Sequence, residues 1–232
     1  MKYALVTGAS RGLGRGFVEH LLSEGYFVFA CMRNPLENSD NPSLIYIDLD
    51  VTNDESLSNA YEKVLEHTDT LDILINNAGV NKRSATNNRP ELVSSLASLD
   101  RSKLANMFNV NTISPLIITK KFYSLMKNDP SFIVNISSCR ASFHDPYESK
   151  NANYGYRASK IALNMLVHDL IKELPQNTKV FAVHPGDVHT DMNPKGTDEP
   201  REQASKIIAI TQNWKEEFNG KFLNYDGEYF PF

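Results

Sequence analysis

The sequence is short of several things at once. It has only two cysteines, Cys31 and Cys139. Neither stands at metal-ligand spacing, so a disulfide framework and a zinc site are both poor readings and a reduced, cytoplasmic setting is expected. His144, His184 and His189 form no spaced metal set and read as core or loop residues. Positive charge is not in excess: 24 Lys and Arg against 28 Asp and Glu leave a net charge of −4, which argues against non-specific nucleic-acid binding. No apolar run approaches the ~18 residues of a membrane span. No signal peptide is expected ahead of Lys2-Tyr-Ala-Leu-Val-Thr7. Repeats, low-complexity tracts and linkers are also missing. The 232 residues, 41% hydrophobic and 22% charged, are therefore expected to form a single domain over 1–232 with a sizeable core.

What is present alternates between strands and helices. Tyr3-Ala-Leu-Val6 reads as a buried strand. Thr7-Gly-Ala-Ser-Arg-Gly-Leu-Gly14 follows, and then a helix carrying Phe17, Val18, Leu21 and Leu22 that stops at Gly25. Strand, glycine-rich turn and helix form the unit that holds a dinucleotide pyrophosphate on backbone N–H groups. The glycine spacing, Gly8-x-x-x-Gly12-x-Gly14, differs from the commoner G-x-G-x-x-G. Further strands are expected at Tyr26–Cys31, Leu44–Asp48, Leu71–Ile75, Ser131–Ile136, Lys179–His184 and Lys221–Asn224. Helices are expected at Asp54–His67, at Leu104–Met126 with an interruption at Pro115, after Asn153, and at Gln203–Phe218, where Trp214 reads as packing. The connection from Asn34 to Ser43 is too polar and proline-rich for a helix. The pattern predicts an α/β chain of Rossmann type: a doubly wound, parallel, seven-stranded sheet with helices on both faces.

Ligands approach such sheets at the C-terminal ends of the strands. Strand two ends in Met32-Arg33, not in an acid. An acid there would bond a ribose 2′-hydroxyl, whereas Arg33 suits the 2′-phosphate of NADP(H), with Arg11 as a second phosphate partner. Asp50 and Val51, past strand three, are placed beside the adenine. Asn76-Asn-Ala-Gly79, past strand four, offers small residues that leave room for a ribose or nicotinamide. Pro185-Gly186 and Val188-His-Thr190, past strand six, are expected to close over the nicotinamide end.

The chemistry centres on Tyr156 and Lys160, one turn apart on one helix face. A phenol titrates near ~10, and a nearby ammonium is expected to lower that value so that the Tyr can exchange a proton with an alcohol or carbonyl oxygen. Ser138, at the end of strand five, can donate to the same oxygen. Pro115 has no N–H to give the Asn111 carbonyl, which could hold a water in a proton relay to Lys160.

Together, Thr7-Gly-Ala-Ser-Arg-Gly-Leu-Gly14, Asp50-Val51, Asn76-Asn-Ala-Gly79, Asn111, Ser138, Tyr156-x-x-x-Lys160 and Pro185-Gly186 resemble the short-chain dehydrogenase/reductase family. Asn135-Ile-Ser-Ser138, His184-Pro-Gly-Asp-Val-His-Thr-Asp-Met192 and Asn219-Gly-Lys-Phe-Leu-Asn-Tyr-Asp-Gly227 are similar to its C-factor and sniffer-like carbonyl reductase branch. The resemblance implies NADP(H), a small carbonyl substrate and a catalytic set of Asn111, Ser138, Tyr156 and Lys160. It also implies cofactor contacts from Gly8, Ser10, Arg11, Gly12, Leu13, Arg33, Asp50, Val51, Asn77, Ala78, Gly79, Tyr156, Lys160, Pro185, Gly186, Val188 and Thr190. Ser138 and Tyr156 stand 18 residues apart, more than the family's usual spacing. The surplus lies in 140–153, where Arg140, His144 and Tyr147 would shape specificity. The segment after Thr190 is short, which leaves little material for a lid. Competing readings are a non-catalytic NADP(H)-binding redox sensor and an NAD-dependent alcohol dehydrogenase. Both a homodimer paired through the 104–126 and 156–174 helices and a monomer fit the residues.

Overall fold

The structure is a computed structural model that describes residues 1–35, 39–81, 96–144 and 152–231. Seven strands form one sheet: β1 Lys2–Thr7, β2 Tyr26–Met32, β3 Leu44–Asp48, β4 Ile73–Asn76, β5 Ser131–Ile136, β6 Thr178–His184 and β7 Phe222–Asn224. Every pairing is parallel and the order is β3-β2-β1-β4-β5-β6-β7. The winding reverses between β1 and β4, so a crevice opens where their C-terminal ends part.

Alternation along the strands supplies two cores. Ala4 and Val6 of β1 face one side, with Phe17 and Leu21 of α1 (Gly12–Ser23) and Ile207 and Ile208 of α6 (Pro200–Gln212). Leu5 faces the other side, with Leu57 and Val64 of α2 (Asp54–Leu65), Ile118 and Phe122 of α4 (Ser114–Phe122), and Leu163 and Val167 of α5 (Tyr154–Leu170). Each such buried Val, Leu, Ile or Phe side chain contributes about 1.5–3 kcal/mol. Trp214 is a packing residue, its ring edge-on to Phe132 at 5.3 Å. No helix among the described residues is long and apolar enough to cross a membrane.

Two helices differ from expectation. The single kinked helix over Leu104–Met126 is instead α3 (Arg101–Phe108), a π turn (Asn109–Ile113), α4 and a 3-10 turn (Tyr123–Leu125). Pro115 cannot donate to the turn before it. The chain widens there by one residue, and the Ser114 N–H reaches the Asn109 carbonyl. The last helix is Pro200–Gln212, followed by a separate 3-10 turn at Glu216–Phe218. Pro200 opens it in the helix's first turn, where its missing N–H costs nothing. No helix lies among the described residues of 33–43, as the composition predicts.

Candidate active site

The crevice begins at Thr7, the last residue of β1. Its hydroxyl accepts the N–H groups of Asn77 (3.0 Å) and Ala78 (3.1 Å) and donates to the Ile75 carbonyl (3.3 Å). Asn77 answers with its side-chain amide, which donates to the carbonyls of Thr7 (2.9 Å) and Gly8 (3.1 Å). The ends of β1 and β4 are thereby stitched together. Gly8 sits at φ +66, and a Cβ there would lie 2.8 Å from the Ala78 Cα. A Cβ on Gly14 would lie 2.2 Å from the Gly8 carbonyl oxygen. The spacing Gly8-x-x-x-Gly12-x-Gly14 is thus a steric requirement of this turn. Arg11 caps α1 with extended backbone and no side-chain bond to the helix's own N–H groups, and the first turn of α1 carries no acid. The helix N-terminus keeps its donors and partial positive charge for an external anion, which fits a dinucleotide pyrophosphate.

The other expected cofactor contacts line the same edge. Gly12 meets Thr190, whose Cγ2 would lie 2.9 Å from a Cβ at Gly12. Val188 is buried in the α1–α6 core. Gly186, after Pro185, takes φ +90 against the Asp198 carboxylate. Ser10 is exposed and Leu13 buried. Arg33 is exposed at the end of β2, close enough to Asp50 to help hold its carboxyl below the usual range. The larger causes of that shift are the hydrogen bonds Asp50 accepts from the Thr52 N–H and hydroxyl. Arg11, expected to be a phosphate partner, here lies 2.9 Å from the Asp191 carboxylate.

The catalytic candidates meet at the ends of β4 and β5. Ser138 accepts the Arg140 N–H at 3.2 Å, and Ser138 also hydrogen-bonds Tyr156. Lys160, 4% exposed, donates from Nζ to the Ile136 carbonyl at 2.6 Å. A Cβ at Gly79 would sit 3.7 Å from Lys160 Nζ and 3.4 Å from Asn111 Oδ1. Asn111 is fully buried in the π turn. Its Oδ1 accepts the Val80 N–H (2.8 Å), and its Nδ2 donates to the Val80 carbonyl (2.8 Å) and Ser159 Oγ (3.0 Å). Ser159 Oγ in turn donates to the Tyr156 carbonyl at 2.9 Å, and Thr112 Oγ1 donates to the Ser159 carbonyl at 2.8 Å.

One expectation is corrected. Lys160 does not pull the Tyr156 phenol down in this structure. Burial is the largest effect and raises the phenol above its ordinary value, while the Ser138 hydrogen bond and the Arg140 charge pull the other way. Burial also pushes the Lys160 ammonium down to about 8.

Residue reading named Thr7 only as the start of the glycine motif and gave no role to Thr7, Thr112 or Ser159. Thr7 had a visible signal, a hydroxyl closing an apolar run just before a glycine. The other two are ordinary polar residues until the π turn and α5 pack together. Of the surplus segment, Ser142 Oγ accepts the His144 N–H at 2.9 Å and the Ser142 carbonyl accepts from Arg157 at 3.1 Å. Tyr147 lies outside the described residues. His184 stacks edge-on with Phe230 at 5.3 Å, and His189 Nδ1 contacts the Gly196 carbonyl at 3.2 Å.

A doubly wound sheet with this glycine turn and this Ser, Tyr and Lys corner defines a class of dinucleotide-dependent folds. The family model of the short chain dehydrogenases matches residues 2–201, and the chain belongs to that family. It is 30% identical to an uncharacterized oxidoreductase of Schizosaccharomyces pombe over 100% of this chain and 98% of the relative. It is 32% identical to a short-chain dehydrogenase of Penicillium roqueforti over 95% and 92%. Among solved structures it is similar to the NADPH-bound carbonyl reductase from chicken fatty liver, with a TM-score of 0.85, 30% identity and coverage of 100% and 99%. The carbonyl reductase Sniffer of D. melanogaster shares the fold, with a TM-score of 0.87 at 24% identity and 100% coverage of both chains. The chicken enzyme is, like the branch that the motifs resemble, a carbonyl reductase.

Proposed function

We propose that this chain is an NADPH-dependent reductase of aldehydes, ketones or quinones, acting as one catalytic unit over 1–232 in the cytoplasm. The observation that carries the reading is the convergence of the Ser138 and Tyr156 hydroxyls, the Lys160 ammonium and the Asn111 amide at the ends of β4 and β5. Gly79 lies against the last two of these. The similar chicken enzyme is an NADPH-bound carbonyl reductase, which supports both the cofactor and the direction.

Gly8, Gly12 and the first turn of α1 would hold the pyrophosphate, and Arg11 and Arg33 the 2′-phosphate. Gly79, Val188 and Thr190 would border the nicotinamide half. When bound, the nicotinamide supplies the hydride. Ser138 holds the carbonyl oxygen by a hydrogen bond, and Tyr156 gives it a proton. Burial raises the phenol above its ordinary value, so Tyr156 has a proton to give at neutral pH. Lys160 would bond the nicotinamide ribose, and a water held at the Asn111 carbonyl would hand Lys160 the proton that replaces the one Tyr156 gave. The Asn111 side chain, spent on Val80 and Ser159, positions the corner.

The test is consumption of NADPH with a panel of aldehydes, ketones and quinones, alongside NADPH binding by calorimetry. Turnover that Tyr156→Phe abolishes while binding persists is the expected result. Binding without turnover of any panel member would make the chain a cofactor sensor instead, and faster alcohol oxidation with NAD would make it a dehydrogenase.

A further inference from the structure

The segment after β6 folds on itself and leans on the glycine turn. The Asp187 N–H donates to Asp198 Oδ2 at 2.8 Å, and the N–H groups of Thr197 (2.9 Å) and Asp198 (3.1 Å) donate back to the Asp187 carbonyl. The Asn193 amide donates to Asp187 Oδ1 at 2.7 Å, and its N–H to Thr190 Oγ1 at 3.1 Å. The strap is thus shaped by bonds that do not involve the Asp191 side chain. Thr190 is pressed on Gly12. The next residue, Asp191, sets its carboxylate 2.9 Å from Arg11 Nη1, with both side chains exposed, 70% for Arg11 and 73% for Asp191.

We propose that Asp191 is a cofactor-discriminating residue: it latches Arg11, and the 2′-phosphate of NADPH must displace it. The inference rests on the cofactor reading above. Arg11 caps α1 at the mouth of the cradle, and Arg33 ends the neighbouring strand β2 on the same sheet edge. The guanidinium fork serves one anion well at a time. Carboxylate and phosphate therefore compete for it. NADH, with a hydroxyl at the 2′ position, leaves the latch closed. Asp191 weakens NADPH in particular, and by recapturing Arg11 it speeds release of the spent cofactor.

The experiment is calorimetry of NADPH and NADH with the full chain as wild type, Asp191→Asn, Arg11→Gln and the double variant. An exposed pair is a small term, so Asp191→Asn is expected to tighten NADPH by ~2–5-fold and slow its dissociation to match. NADH affinity stays unchanged, and in the Arg11→Gln background the gain vanishes. A gain equal for both cofactors overturns the latch, as does no gain at all. A gain that survives in Arg11→Gln also overturns it, because Asp191 would then repel phosphate directly. Asp191→Ala is expected to repeat the Asn result, and a different result would point to the strap's shape. A wild type that binds neither dinucleotide defeats the cofactor reading itself, which is a separate outcome.

Discussion

The two ends of the cleft are built by opposite means. At the glycine turn, side chains are nearly absent, and Thr7 and Asn77 lock one backbone against another. At the catalytic corner, four functional side chains converge: Asn111, Ser138 and Lys160 are buried, Tyr156 is half-buried, and desolvation shifts the titration of the last two. The first end is specified by shape, so its glycines tolerate no Cβ. The second is specified by charge and protons, so isosteric changes there should spare the fold and stop the chemistry.

Tyr156→Phe breaks the comparison most sharply. Removing one oxygen is expected to lower turnover by roughly 10²–10⁴-fold and leave the NADPH Kd within about 2-fold by calorimetry, since the pyrophosphate cradle is untouched. Full activity in the Phe variant would sink the acid role. Gly14→Ala should do the reverse. Its methyl meets the Gly8 carbonyl at 2.2 Å, and such overpacking costs about 1–3 kcal/mol or more. A lower Tm in thermal unfolding and weakened dinucleotide binding are expected together. A variant with the wild-type Tm and Kd would mean the turn is looser than this geometry allows. Arg33→Asp tests the cradle's electrostatics without touching its shape. Loss of a charged hydrogen bond and gain of an acid should move the NADPH-to-NADH preference by roughly 10–100-fold, read from kcat/KM with each cofactor.

The same contrast governs what could be read from the residues. β3 and β5 fall on the predicted spans, and β1, β2, β4, β6 and β7 lie within two residues of theirs at either end. Uninterrupted apolar runs bounded by turn residues leave little choice. The glycine turn was legible because its constraint is local: Gly8, Gly12 and Gly14 answer clashes within their own neighbourhood or with strand ends beside them. The π turn was not. Pro115 announces an irregularity, but the partners of Asn111 lie 31 and 48 residues away, at Val80 and Ser159. Asn153 was likewise passed over. It enters α5 at φ +46, a conformation Asn tolerates better than most residues. Motif residues named Tyr156 and Lys160. The direction of their proton shifts depends on burial, which only the packed chain supplies.

The smallest effect expected is also the most direct gauge of what the catalytic corner sacrifices. Lys160 titrates near 10.5 when free and at about 8 in the folded chain, because burial disfavours its charged form. Between those values the unfolded chain holds the proton and the folded chain has released it. Unfolding there takes up a proton, so this group makes the protein more stable as pH rises from 8 to 10.5. Below pH 8 the buried ammonium carries its full cost. Lys160→Met removes the charge and also the hydrogen bond to Ile136, whose loss is the same at every pH. Its stability relative to wild type should therefore be most favourable at pH 7 and decline steadily toward pH 10. Urea unfolding at four pH values measures that slope. A difference that does not change with pH would mean the ammonium is not held in a dry pocket, and the two ends of the cleft would then differ in geometry alone.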